Sequence, residues 1–187
     1  MTPQTRSPAA MRMALASLVA LTLSHTVPRA AALDERKSTA SIRIAPRGER
    51  GDMLVMTGRI ADYRGRPVPG ATLYVYHADA MGEYSKPGES APRLSGTVRV
   101  GADGTFRIET VVPSHIKNVE GGLPHIHGTA LASGRTTTGF VVNLTLAPGR
   151  HLDAAKRAAM GGRNSMNRTI YQDVWGTWHL VYDPMLP

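Results

Sequence analysis

Two histidines separated by one residue, His125-Ile126-His127, are the sharpest chemical feature of the chain. On a β-strand, residues two apart face the same side about 6.6 Å apart, so both imidazoles can converge on one ion. The pair follows Gly121-Gly122-Leu123-Pro124, a loop by composition, which places it at the entrance of a site. His115 lies in the same loop region and Tyr84 in an earlier loop, adding an imidazole and a phenol. Such an oxygen and nitrogen donor set suits iron, copper or zinc. The bland alternatives are a solvent-facing or core histidine pair, a partly buried Tyr84 and an exposed His115. The chain contains no cysteine. That excludes a disulfide framework, a thiolate metal site and a cysteine nucleophile.

The remaining histidines fit other roles. His77 sits mid-strand among apolar neighbours and reads as a hydrogen-bonded core or supporting group. His151 opens a charged, helix-prone stretch, and His179 alternates with Trp178 and Leu180, which turns it toward solvent. A hydrolytic triad can be drawn from Ser114, His115 and Asp79 or Asp103, but the serine has no nucleophile-elbow context.

The elements that must position these groups are short strands. Residues 54–60 alternate with period two, and Asp62 to Pro67 supplies a turn. In the strand at 71–78, Ala71, Leu73, Val75 and His77 face one way and Thr72, Tyr74, Tyr76 and Ala78 the other. Strands at 97–100 and 105–110 flank the turn Gly101-Ala102-Asp103-Gly104. Further strands are predicted at 125–131, at 136–146 with a bulge at Gly139, and around 178–182. Residues 150–160 favour helix, which Gly161-Gly162 would end. The expected architecture is all-β, an antiparallel β-sandwich with long active-site loops and one short helix. No internal repeat and no glycine-rich phosphate loop is present.

Residues 1–32 read as a signal peptide: Arg6 and Arg12 precede an apolar run, and Ala30-Ala31-Ala32 offers small residues for cleavage. The run is broken by Ser24, His25 and Pro28 before the roughly 20 residues a bilayer span needs. The expected organisation is a signal peptide at 1–32, a flexible lead-in at 33–52 that contributes at most one edge strand, and one domain at 53–187. Localisation would be periplasmic or secreted, with no stable membrane span after cleavage. The net charge of +8 belongs to scattered arginines that are not interleaved with aromatics, which argues against nucleic-acid binding and permits steering of a small anion.

The order of motifs is similar to one family. Gly58 to Ala71 and Tyr76 to Tyr84 resemble the opening of the intradiol ring-cleavage dioxygenase domain. Gly101 to Ser114 resembles that family's central hairpin, Pro124-His125-Ile126-His127 its paired histidines, and Gly176 to Asp183 its terminal strand. The resemblance covers roughly residues 54–186. It implies a non-haem ferric ion, Fe(III), held by two tyrosinates and two histidines, and a catecholic diol opened by O2 between its two hydroxyl-bearing carbons. Carried over, Tyr84 falls on the tyrosine that stays bound, and His125 and His127 on the imidazoles. The second tyrosine is replaced by Ile116, with His115 beside it as a candidate donor, and Gly121-Gly122-Leu123 lacks the family's arginine. Losing one such electrostatic group costs about ten- to a thousandfold in rate. The other reading is therefore a non-catalytic extracytoplasmic metal- or ligand-binding domain.

Overall fold

Alternation of apolar and polar residues along each strand builds a curved sheet around one core. The protein is seen in a computed structural model that describes residues 40–117, 123–151 and 166–187. The expected signal peptide lies outside the described residues. The strands are β1 (Ala40–Arg43), β2 (Met53–Arg59), β3 (Ala61–Asp62), β4 (Thr72–His77), β5 (Leu94–Arg99), β6 (Thr105–Val111), β7 (His125–Leu131), β8 (Thr138–His151), β9 (Asn167–Gln172), β10 (Trp178–Val181) and β11 (Met185–Leu186). Nine form one sheet in the order β1-β6-β2-β10-β9-β8-β7-β4-β5, and β11 pairs with β3.

The expected sandwich with a short helix is corrected on two points. First, the ladder is continuous through nine strands and mostly antiparallel, with β1–β6, β2–β10 and β8–β9 parallel. Its two ends approach each other: a Cβ on Gly96 of β5 would lie 2.4 Å from Cγ2 of Ile44 and 3.1 Å from Cδ1 of Ile42. Only bare backbone lets β1 and its extension settle there, and the sheet becomes a near-barrel. Alternation specifies which residues face inward but not which strands pair, so it could not separate the two architectures. Second, the described residues contain no helix. Arg150 and His151, where the helix was expected to begin, continue β8, and His151 pairs with Gln172 of β9. Ladder bonding there outweighs a weak helical propensity; the rest of that stretch lies outside the described residues. The register irregularity in β8 falls between Leu146 and His151, while Gly139 pairs regularly with Thr129.

Leu54, Met56, Leu73, Val75, Ile108, Ile126, Leu144, Ile170 and Leu180 meet in the core. Each such side chain contributes about 1.5–3 kcal/mol on burial. His77 belongs with them. It is fully buried, its Nδ1–H donates to the carbonyl of Ala78 at 2.7 Å, and its Nε2 accepts from the Thr110 hydroxyl at 2.7 Å. That pattern fixes the neutral tautomer, since a carbonyl can only accept.

Burial lowers the His77 pKa from 6.5 to about 4. Between those values the unfolded chain takes up a proton that the folded chain refuses, so stability is full above pH 6.5 and falls as pH drops toward 4. The loss should reach about 3 kcal/mol by pH 4. Urea denaturation across this range should show a flatter pH profile in His77→Gln than in the wild type, with the remaining slope owed in part to His127.

Candidate metal centre

The pairing of β4 with β7 assembles the site. Tyr76 lies opposite His127, and His77 opposite Ile126. Inward positions Leu73, Val75, His77 and Ile126 are buried, which leaves Tyr74, Tyr76, His125 and His127 on the outer face, each half-covered. Tyr84 reaches this face from the loop after β4. Its Oη lies 2.9 Å from His125 Nε2, which in turn lies 3.1 Å from His127 Nε2. The Nδ1–H of His125 donates to the Leu123 carbonyl at 2.8 Å, so the lone pair of its Nε2 faces the other two donors.

These separations suit a metal. Two donors about 2.1 Å from one ion and at right angles to each other stand about 3 Å apart. Among the described residues no cluster of three or more His, Cys, Asp or Glu could hold an ion. The fit therefore requires the phenol of Tyr84. Burial, followed by the neighbouring Tyr76, raises the pKa of Tyr84, and burial, followed by His125, lowers that of His127. Both shifts favour neutral groups in the bare protein, and a bound cation reverses that preference for the phenol.

An ion-pair clamp holds the Tyr84 loop. Asp79 Oδ1 accepts from the amides of Met81 at 2.8 Å and Glu83 at 3.0 Å, while Arg93 donates to Asp79 Oδ2 at 2.7 Å. Arg93 also pairs in a fork with both oxygens of Glu49, at 2.6 and 2.9 Å, and its amide donates to the Tyr84 carbonyl at 2.7 Å. Burial pulls the Asp79 carboxyl upward, but the Glu83 amide, Arg93 and the Met81 amide outweigh it and hold it below the usual carboxylate range. Gly82, at φ +80°, lets the loop press on residues 115–117: a Cβ there would lie 2.1 Å from the His115 carbonyl oxygen. The Lys117 amide donates to the Gly82 carbonyl at 3.1 Å and the Ser114 amide to that of Asp79 at 3.0 Å.

The structure thus brings Tyr84, His125 and His127 together. His115 is exposed and lines a neighbouring cavity of about 420 Å³ with Pro113, Ser114, Leu123, Pro124, Leu144, Thr145 and Leu146, a lining that includes none of those three. Ile116 is half-buried on the same loop. Of the two acids drawn into a triad with Ser114 and His115, Asp79 is bound to Arg93 and Asp103 to Thr105. His179 does not face solvent as expected; its Nε2 lies 2.8 Å from Asp173 Oδ2, with only 13% of its side chain exposed. The sequence reading missed Arg93, which carries no motif, and Asp79 as a loop anchor. Tyr76 was placed on the correct face, but its meeting with His127 follows only from the β4–β7 register.

A family model described as Dioxygenase matches residues 27–130, a span that includes Tyr84, His125 and His127. The chain belongs to the intradiol ring-cleavage dioxygenase family. It is 37% identical over 65 residues to catechol 1,2-dioxygenase 2 of Acinetobacter lwoffii, covering 34% of this chain and 24% of that protein. It is 27% identical to 6-chlorohydroxyquinol 1,2-dioxygenase of Cupriavidus pinatubonensis, covering 74% of this chain and 55% of that one. Matches to these curated relatives thus span between about a quarter and just over half of their length. In fold it is similar to 3-chlorocatechol 1,2-dioxygenase from Rhodococcus opacus 1CP, with a TM-score of 0.60, 18% identity, and coverage of 88% of this chain and 78% of that one.

The clamp yields a test. Side-chain exposures of 24% for Arg93 and 13% for its acidic partners leave the acids poorly hydrated when the cation is removed. Arg93→Leu should lower unfolding free energy by about 2 kcal/mol in urea denaturation, a partly screened fraction of a buried-pair loss. In Asp79→Ala, hydrogen exchange should accelerate at the Met81 and Glu83 amides before any global unfolding.

Proposed function

We propose that the protein is an exported Fe(III)-dependent enzyme that opens the ring of a catecholic diol with O2. The observation that carries this reading is the convergence of Tyr84 Oη, His125 Nε2 and His127 Nε2 at 2.9 and 3.1 Å on the outer face of β4 and β7. Tyr84, His125 and His127 would hold the ion, and the hard phenolate favours ferric iron over copper or zinc. His115 is the candidate for a further donor, since its loop touches Gly82, two residues before Tyr84. Bound there, ferric iron supplies the Lewis acidity and redox reach that make a catecholic diol reactive toward oxygen.

The chain's own groups set the limits of the reaction. The Leu123 carbonyl fixes the tautomer and plane of His125. The clamp of Asp79, Arg93 and Glu49 keeps Tyr84 over the histidines. Where the family has a second tyrosine, Ile116 offers no phenol to accept the diol proton, and Gly121-Gly122-Leu123 carries no charge to steady a developing anion. Both losses slow the chemistry, and an apolar residue at 116 favours a diol without a carboxylate. The proposed substrate is therefore an unsubstituted or alkylated catechol, cleaved slowly, and the reading of residues 1–32 as a signal peptide supports a reaction in the periplasm or outside the cell.

Elemental analysis of protein purified without added metal should find iron, with a visible phenolate charge-transfer colour that Tyr84→Phe abolishes. Oxygen uptake with catechol should yield a ring-opened muconate-type product and disappear in His127→Ala. Colourless protein that takes up no iron on reconstitution would replace this reading with a binding domain; iron-loaded protein that binds catechol without consuming oxygen would keep the metal and reject the catalysis.

A further inference from the structure

His125 and His127 are held in different ways, and the difference points to a residue outside the donor set. The ring of His125 is fixed by its hydrogen bond to the Leu123 carbonyl. Among the described residues the hydrogen bonding of His127 runs through Nε2 alone, the atom that faces His125. Among the described residues nothing of that kind holds its ring plane from the far side, where a metal-binding histidine ordinarily donates its second N–H. Instead its imidazole lies flat on Tyr76, with ring centroids 4.7 Å apart and planes 4° from parallel. The same tyrosine meets the edge of Tyr84 at 6.1 Å and 60°, so one ring touches two of the three donors.

This contact is built into the ladder. Tyr76 and His127 are register partners of an antiparallel pair, the arrangement in which opposing side chains on one face interact most strongly. A one-residue slip of β7 would send His127 to the face opposite Tyr76 and break the stack. Tyr74 stands behind Tyr76 at 5.7 Å and 33° on the same face. Tyr76 meets Tyr74, Tyr84 and His127 through its ring, so the aromatic surface and not the hydroxyl carries these contacts.

We infer that Tyr76 is a positioning residue of the metal centre: its ring sets the plane of the His127 imidazole and the seat of the Tyr84 ring. The inference rests on Tyr84, His125 and His127 being the donors. In metal-free protein the ring-proton resonances of His127, assigned by their disappearance in His127→Gln, should be displaced upfield by the stacked tyrosine; undisplaced resonances overturn the inference whether or not any variant folds. Affinity for Fe(III), measured by competition with a chelator, should fall about 10- to 100-fold in Tyr76→Leu, with the phenolate charge-transfer band shifted. Tyr76→Phe and Tyr76→Trp, which keep a ring to stack, should retain wild-type affinity. Tyr74→Leu, which removes an aromatic from the same face without touching His127, separates positioning from mere loss of surface packing and should leave affinity unchanged. Wild-type affinity in a folded Tyr76→Leu, or an equal loss in Tyr74→Leu, overturns the role of Tyr76. Wild-type protein that binds no iron overturns the proposed function instead, and the resonances of His127 then decide the stack on their own.

Discussion

Because side chains on a strand alternate between faces, the register of β4 against β7 decides what enters the core and what meets the Tyr84 loop. The pairing of Tyr76 with His127 and of His77 with Ile126 sends Leu73, Val75 and His77 inward and leaves the two histidines of β7 outside. The core enforces this choice. Shifting β7 by one residue against β4 would drive its two histidines into an apolar interior and expose Ile126. Hydrophobic burial, which knows nothing of iron or catechol, thereby fixes the placement of the donors with several kcal/mol of side-chain transfer energy behind it.

What burial cannot do is place Tyr84, which lies on a loop with little apolar surface of its own. That task falls to charge. Arg93 joins Glu49, Asp79 and the Tyr84 carbonyl, and Asp79 closes the loop on the Met81 and Glu83 amides. The partly dry setting distinguishes these contacts from the exposed pairs of Arg43 with Glu109 and Lys117 with Glu83, whose attraction water largely screens. A rigid sheet face thus supplies two of the proposed donors, and an electrostatically pinned loop supplies the third.

Much of this was legible beforehand. Period-two alternation located β2, β4 and β10, turn and loop composition located β6 and β7, strand geometry put His125 and His127 on one face, and the apolar neighbours of His77 marked it as a core residue. Strand partnership was not legible, because a buried Leu54 or Ile170 is satisfied by any apolar neighbour; the continuous near-barrel and the parallel pairing of β10 with β2 emerge only from the assembled ladder. For the same reason β9 was missed: in Asn167–Gln172 only Ile170 is buried, too faint an alternation to read. His179 was misplaced because its partner Asp173 is brought back by the turn between β9 and β10, a contact that alternation does not encode. Arg93 looked like one more scattered arginine, since its role depends on residues 44 and 14 positions away.

The closure of the sheet carries a further consequence. β1 is four residues long, is bonded through a parallel pairing to β6, and rests its Ile42, with Ile44 just beyond it, on the bare backbone of Gly96. Parallel pairing is slightly weaker per residue than antiparallel, so β1 is held by a weaker ladder than an antiparallel edge strand of the same length would be. Were β1 to lift away, β6 and β5 would both present unpaired edges beside freshly exposed isoleucine, the surface on which a strand from another copy can add. Glycine at position 96 therefore does more than admit a neighbour: by letting the latch shut, it keeps those edges covered.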